Sequence, residues 1–148
     1  MTAVLSLGSN VGDRLAHLRL GVSVLEPVAV SPVYETAPVG GVEQPEFLNL
    51  VVVCELDAPA AWRRAQEAER QAGRIRGARW GPRTLDVDVV WADGEDPGLE
   101  LPHPRAHERA FVLIPWLDID PDAVLPGSGP VAALAVDRAG VRLLGPLV

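Results

Sequence analysis

One cysteine in 148 residues excludes an intramolecular disulfide framework and a thiolate metal site. The setting of Cys54, L-V-V-V-C-E-L, predicts an inert thiol in a core strand. No apolar run approaches the roughly 20 residues needed to cross a bilayer. The opening M-T-A-V-L-S-L-G-S-N has neither the basic region nor the cleavage site of a signal peptide, so a cytoplasmic protein is expected. Excess positive charge is also missing. The formal net charge is −7, which argues against a general nucleic-acid binder, since that needs a broad basic surface. Aromatics make up only 5% of the chain, so each exposed one is worth questioning. No internal repeat and no low-complexity tract is found.

What is present is a globular composition, 48% hydrophobic, of a length that predicts a single domain over 1–148. Roughly 70% of the unfolded surface can be buried at this size. Residues 2–7 read as a strand. G-S-N-V-G-D follows as turn chemistry with Asn10 or Asp13 as a helix cap. Leu15, Leu18, Val22 and Leu25 recur at helical spacing and predict a helix over 14–25, closed by Pro27. Strands are expected over 28–34, with Pro32 marking an edge, and over 47–56. A second helix is expected over 59–72, ending at Gly73. A fourth strand follows over 84–91, then a helix over 107–117, a short helix near 130–136 and a last strand at 141–144. The order β-α-β-β-α-β predicts an α+β, ferredoxin-like antiparallel sheet with its helices on one face and extra C-terminal elements. The other face is then left to loops and a ligand.

The densest chemical signal lies in Arg70 to Asp88. Five arginines (Arg70, Arg74, Arg76, Arg79, Arg83) precede the first acid, Asp86. In T-L-D-V-D-V-V-W, Leu85, Val87, Val89 and Trp91 should share one face, with Asp86 and Asp88 on the other, about 6.7 Å apart along the strand. Two carboxylates 5 Å apart repel by roughly 3 kcal/mol at an effective dielectric near 20. Arginines or a divalent metal must offset that. A polar surface strand also explains D-x-D, but the upstream arginines favour a metal–polyphosphate site. Gln66 and Glu69 share a helix face near the basic segment and belong either to an ordinary polar stripe or to the site rim. Trp80 is either a core anchor or a stacking plane. His103 is better placed as a phosphate donor than as a zinc ligand with His107, because Pro104 breaks a helix through both. Asn49 in F-L-N-L-V-V-V marks either a bulge or turn contact, or a group that reads a flat heterocycle stacked by Phe47 and Phe111.

The segments G-S-N, Y-E-T-A-P-V-G, Q-P-E-F-L-N, E-x-x-x-G-R-x-R, R-W-G-P-R-T-L-D-V-D and L-P-H-P-R-A-H-E-R-A-F together resemble the 6-hydroxymethyl-7,8-dihydropterin pyrophosphokinases of folate biosynthesis, over about 1–125. The resemblance implies transfer of pyrophosphate from Mg-ATP to the pterin hydroxymethyl group, with release of AMP. It implies that Asp86 and Asp88 hold two Mg²⁺ ions. Arg74, Arg76, Arg83, His103 and Arg109 would contact phosphates, with Arg74 and Arg83 closest to the chemistry. Gln66, Glu69, Trp80 and Val89 would lie nearer the nucleotide. Asn49 would read the pterin edge, Phe47 and Phe111 would sandwich its ring, and Thr36, Ala37, Pro38 and Val39 would add contacts. The implied partners are these small molecules alone, with no nucleic acid or membrane, and the expected state is a monomer. An RNA-binding module on the same fold and a nucleotide-binding domain without activity are the alternatives. The first sits poorly with the net charge and the two aspartates.

Overall fold

The structure is a computed structural model that describes residues 1–36, 46–73, 84–134, 138 and 140–147. In chain order it runs β1 (Ala3–Ser9), α1 (Arg14–Leu25), β2 (Ala29–Val30), β3 (Val33–Thr36), β4 (Phe47–Cys54), α2 (Ala58–Gln71), β5 (Asp86–Ala92), α3 (Ala110–Ile119), β6 (Val124–Leu125), β7 (Gly129–Pro130) and β8 (Val141–Gly145). The main sheet has the order β5-β1-β4-β3-β8, with β2 also on β4, and its pairings are antiparallel. This is the expected ferredoxin-like arrangement, with β8 added beyond β3.

Local chemistry explains most boundaries. The Asp13 carboxylate accepts from the Ala16 N–H at 3.1 Å and starts α1. Asp57 does the same for α2 through the Ala60 N–H at 3.0 Å, with Pro59 in the first turn, where its missing donor costs nothing. The expected strand over 28–34 divides into β2 and β3. Pro32 cannot donate to a ladder, and Ser31 bridges the break. Its hydroxyl accepts from the Val51 N–H at 2.9 Å, and its own N–H reaches the Val51 carbonyl at 2.9 Å. The expected helix over 107–117 resolves into a 3₁₀ turn at Ala106–Glu108 followed by α3. Of the short helix expected near 130–136, the described residues form a 3₁₀ turn at Val131–Ala133, and 135–136 lie outside them.

Two cores flank the sheet. On one side Leu5, Leu7, Leu50, Val52, Leu85, Val87 and Val89 meet α1 and α2 through Leu18, Leu25, Ala61, Ala65 and Ala68. On the other, Val4, Val51 and Val90 meet α3 through Val112, Leu113 and Trp116. The face expected to be left to loops and a ligand is therefore shared with α3. Trp91 does not share the face of Leu85, Val87 and Val89. A register shift lets Leu5 pair with Val89 and Val4 with Trp91. Trp91 therefore follows Val4 to the α3 side, because paired residues point the same way.

Helix α1 lies close on the sheet because Gly21 has no side chain. A Cβ there would stand 2.7 Å from Leu7 Cδ2 and 3.2 Å from Leu85 Cδ2. Gly21→Val is expected to lose about 1–3 kcal/mol by overpacking, read as a lower denaturation midpoint at unchanged m-value. An unaltered midpoint would show that α1 has slack.

Candidate active site

The ladder register builds the site. Gly8 of β1 pairs with Asn49 on one side and Asp86 on the other, and Asn49 pairs with Tyr34. Asp86, Gly8, Asn49 and Tyr34 thus form one row on the sheet face away from α1 and α2. The next row toward the sheet centre is Asp88, Ser6 and Val51. The row toward the open end holds Phe47 and Thr36. Two strand spacings, about 10 Å, separate Asp86 from Asn49. Between them Gly8 offers no side chain. A Cβ there would lie 2.8 Å from Asn49 Oδ1 and 3.5 Å from Phe47 Cδ1. The glycine makes room for the Asn49 amide and the Phe47 ring to lean over β1; we term the strip of this face from the acidic strand to the amide the trough.

At the acidic end, Asp86 and Asp88 share one face, as the alternation predicted. Asp88 is 47% exposed and lies 3.6 Å from Arg109 Nη1. An ion pair this exposed contributes less than about 1 kcal/mol, so it leaves both groups available to a ligand. The Arg109 guanidinium also sits 5.6 Å from the centre of the Phe111 ring. His103 is pinned beside the same strand by its N–H to the Val90 carbonyl at 2.9 Å. Burial pushes its imidazole below the ordinary value, against the pull of Asp88. The Arg105 N–H reaches its Nδ1 at 3.2 Å, which leaves Nε2 as the protonated nitrogen of the neutral ring. A neutral donor beside a carboxylate suits a phosphate oxygen. Among the described residues no three His, Cys, Asp or Glu side chains group to hold a metal. Two hard oxygen donors on one strand fit Mg²⁺ shared with substrate phosphates rather than an all-protein cage.

At the amide end, Asn49 is 4% exposed. Its amide N–H donates to Thr36 Oγ1 at 2.7 Å. It sits in regular register with Gly8 and Tyr34, so no bulge accounts for it. The Tyr34 hydroxyl donates to the Asp118 carboxylate of α3. Burial first and that bond second push the phenol up to about 12. On the opposite face, Arg142 of β8 reaches Glu35 and Glu46, each at 2.5 Å, and Arg14 donates to the Glu46 carbonyl at 2.8 Å. These charges brace the strand ends that carry Thr36 and Phe47.

Other expected site residues are placed differently. The Glu69 carboxylate accepts from the Val87 N–H at 3.0 Å, tying α2 to the strand that bears both aspartates. Gln66 is exposed on α2. The Val89 side chain is buried under the helices, which leaves its backbone for a ligand. Arg70 ends α2 and is held by Glu67, with Nε to Oε2 at 2.9 Å. The pair holds the Glu67 carboxyl down to about 2 and takes Arg70 out of the basic segment. Ala37, Pro38, Val39, Arg74, Arg76, Arg79, Trp80 and Arg83 lie outside the described residues. A groove of about 520 Å³ lies elsewhere, beside α1, lined by Val22, Val30, Pro32 and Leu147. Its lining is apolar apart from Arg19, Ser23 and Ser31, and it has no acidic group to match the trough. Gly8, Tyr34 and Asp118 stand beside the expected site residues, and sequence reasoning did not single them out. Only the glycine's place just before a polar turn hinted at one of them.

Residues 4–121 match the family model described as 7,8-dihydro-6-hydroxymethylpterin-pyrophosphokinase (HPPK). A Mycobacterium leprae protein named 2-amino-4-hydroxy-6-hydroxymethyldihydropteridine pyrophosphokinase is 54% identical, over 91% of this chain and 79% of its own length. A Mycobacterium tuberculosis protein of the same name is 49% identical, over 97% of this chain and 89% of its own. The crystal structure of Plasmodium falciparum HPPK-DHPS with pteroate superposes at a TM-score of 0.69 and 13% identity, over 90% of this chain and 43% of that one. It is alike in fold.

Gly8→Ala is expected to leave a cooperative fold, cost about 1–3 kcal/mol and displace the Asn49 amide. Denaturant unfolding and the Asn49 side-chain NMR signals check this. Unmoved Asn49 signals would show that the trough does not depend on the glycine.

Proposed function

The chain belongs to the 7,8-dihydro-6-hydroxymethylpterin pyrophosphokinase family, and we propose that the trough over Gly8 is where it binds its two substrates. It is an ATP-dependent pyrophosphokinase that transfers the pyrophosphoryl group to 6-hydroxymethyl-7,8-dihydropterin in folate biosynthesis. The observation that supports the placement is the shared face. Asp86 and Asp88 stand at one end and Asn49, Thr36 and Phe47 at the other, and in the row that joins Asp86 to Asn49 the residue between them, Gly8, has no side chain.

In this reading the Asn49–Thr36 pair reads the pterin edge, and Phe47 and Phe111 take its two faces. Asp86 and Asp88 would hold two Mg²⁺ ions, which would neutralise phosphate charge and lower the pKa of the attacking hydroxyl. His103 donates through Nε2 and Arg109 through its guanidinium to phosphate oxygens. Arg74, Arg76 and Arg83 do the same, Gln66, Glu69 and Trp80 lie nearer the nucleotide, and Val89 contributes its backbone. All 13 Lys-plus-Arg positions are arginine, whose planar fork grips phosphate bidentately. The pterin oxygen bonds to the β-phosphorus as the bond to the α–β bridging oxygen breaks. AMP leaves with that electron pair, and the hydroxyl proton passes to solvent. Orientation along the trough supplies much of the rate. Ala37, Pro38 and Val39 extend the pterin wall from Thr36. No helix among the described residues is long and apolar enough to cross a membrane. The proposal is a cytoplasmic monomer acting on small molecules.

Protein mixed with ATP, Mg²⁺ and the hydroxymethyl-dihydropterin should release AMP; release of ADP instead would refute the pyrophosphoryl transfer. Asp86→Asn and Asp88→Asn are each expected to slow turnover at least about a hundredfold while leaving the fold intact. Near-normal turnover in the double variant would exclude them as metal ligands.

A further inference from the structure

Tyr34 is the single tyrosine of the chain and is only 8% exposed. It is the register partner of Asn49. Thr36, which receives the Asn49 amide, lies two residues further along the same strand and on the same face. The Tyr34 hydroxyl crosses to Asp118, near the end of α3. Asp118 follows Phe111 by seven residues, two helical turns, so both side chains leave the same side of α3. One hydrogen bond therefore joins the strand that frames the amide to the helix that carries the aromatic ring.

The other attachments of α3 are the half-exposed Arg109–Asp88 pair at its N-cap, at the acidic end, and apolar packing. Val112, Leu113 and Trp116 pack with Val4, Val51 and Val90, which belong to β1, β4 and β5. Apolar packing is non-directional and leaves a helix room to turn or slide. A hydrogen bond with a defined angle removes that freedom.

We propose that Tyr34 and Asp118 are positioning residues for the pterin: their bond sets the gap between the Phe111 ring and the Asn49–Thr36 pair. This rests on assigning that end of the trough to the pterin. A phenol is neutral at working pH in any case, so Tyr34 is the donor of the pair; burial and Asp118 raise its pKa further while Arg138 pulls the other way. Neither residue touches the phosphates in this reading, and Arg109 at the α3 N-cap has its own tie to Asp88, so their loss should fall mainly on the pterin.

The test measures two affinities: a non-hydrolysable ATP analogue with Mg²⁺ alone, and the hydroxymethyl-dihydropterin in its presence. Tyr34→Phe and Asp118→Ala are each expected to weaken pterin binding roughly tenfold and to leave the nucleotide within about twofold. In turnover, KM for the pterin should rise more than kcat falls. Asp118→Asn keeps an acceptor oxygen and should restore most of the affinity. The double variant should be no worse than either single one, because both remove the same bond. The lone tyrosine gives an independent signal, since its phenol should ionise at lower pH in Asp118→Ala than in the wild type. Asp118 is exposed, so its variants carry the test even if Tyr34→Phe does not fold. Equal losses of both affinities, unchanged pterin binding, or an unmoved phenol titration would overturn the inference. A wild-type protein that binds no pterin would instead overturn the assignment of the trough on which it rests.

Discussion

The site depends on a pairing constraint. Gly8 lies in register with Asp86 on one neighbouring strand and Asn49 on the other. Antiparallel pairing sends all three to one face. A one-residue slip of β1 would not merely move the glycine. It would place Leu7 or Ser9 between the two groups and turn β1's apolar set to the wrong side. The core under α1 and α2 opposes such a slip, since Leu5 and Leu7 are fully buried there. The hydrophobic effect thus fixes the geometry of a polar trough on the opposite face.

The elements around the trough divide the work by stiffness. The sheet carries Asp86, Asp88, Asn49, Thr36 and Phe47 on paired backbone. Glu69 reinforces β5 from α2, and Arg142 braces β3 and β4 from β8. Helix α3 brings Phe111 to the same face and is anchored through Asp118. Among the described residues, Asp86, Asp88, Asn49 and Thr36 thus stand on regular structure, where positional precision matters most.

Much of this was legible because a strand's period of two is simple. The alternation of T-L-D-V-D placed both aspartates on one face. The anomalous amide of Asn49 marked a polar site within an apolar strand, and the family motifs supplied order and activity. What escaped depended on distant pairing. The role of Gly8 comes from strands about forty and eighty residues away, which one sequence does not align. Trp91 was put on the wrong face because the register shift near Val4 and Leu5 is invisible in β5 alone. Arg70 looked like part of the basic segment until α2 placed it one turn from Glu67. Tyr34 and Asp118 drew no notice because a tyrosine and an acid 84 residues apart become a pair only once α3 crosses the sheet.

The most direct test of the arrangement replaces Mg²⁺ with paramagnetic Mn²⁺ in the presence of a non-hydrolysable ATP analogue and follows NMR line broadening. The account predicts that signals of Asp86 and Asp88 disappear, that Gly8 and the Asn49 side chain, within about 10 Å, broaden strongly, and that Leu18 and Ala61 beneath the sheet broaden least. Broadening centred away from Asp86 and Asp88, or unchanged by Asp86→Asn, would contradict it.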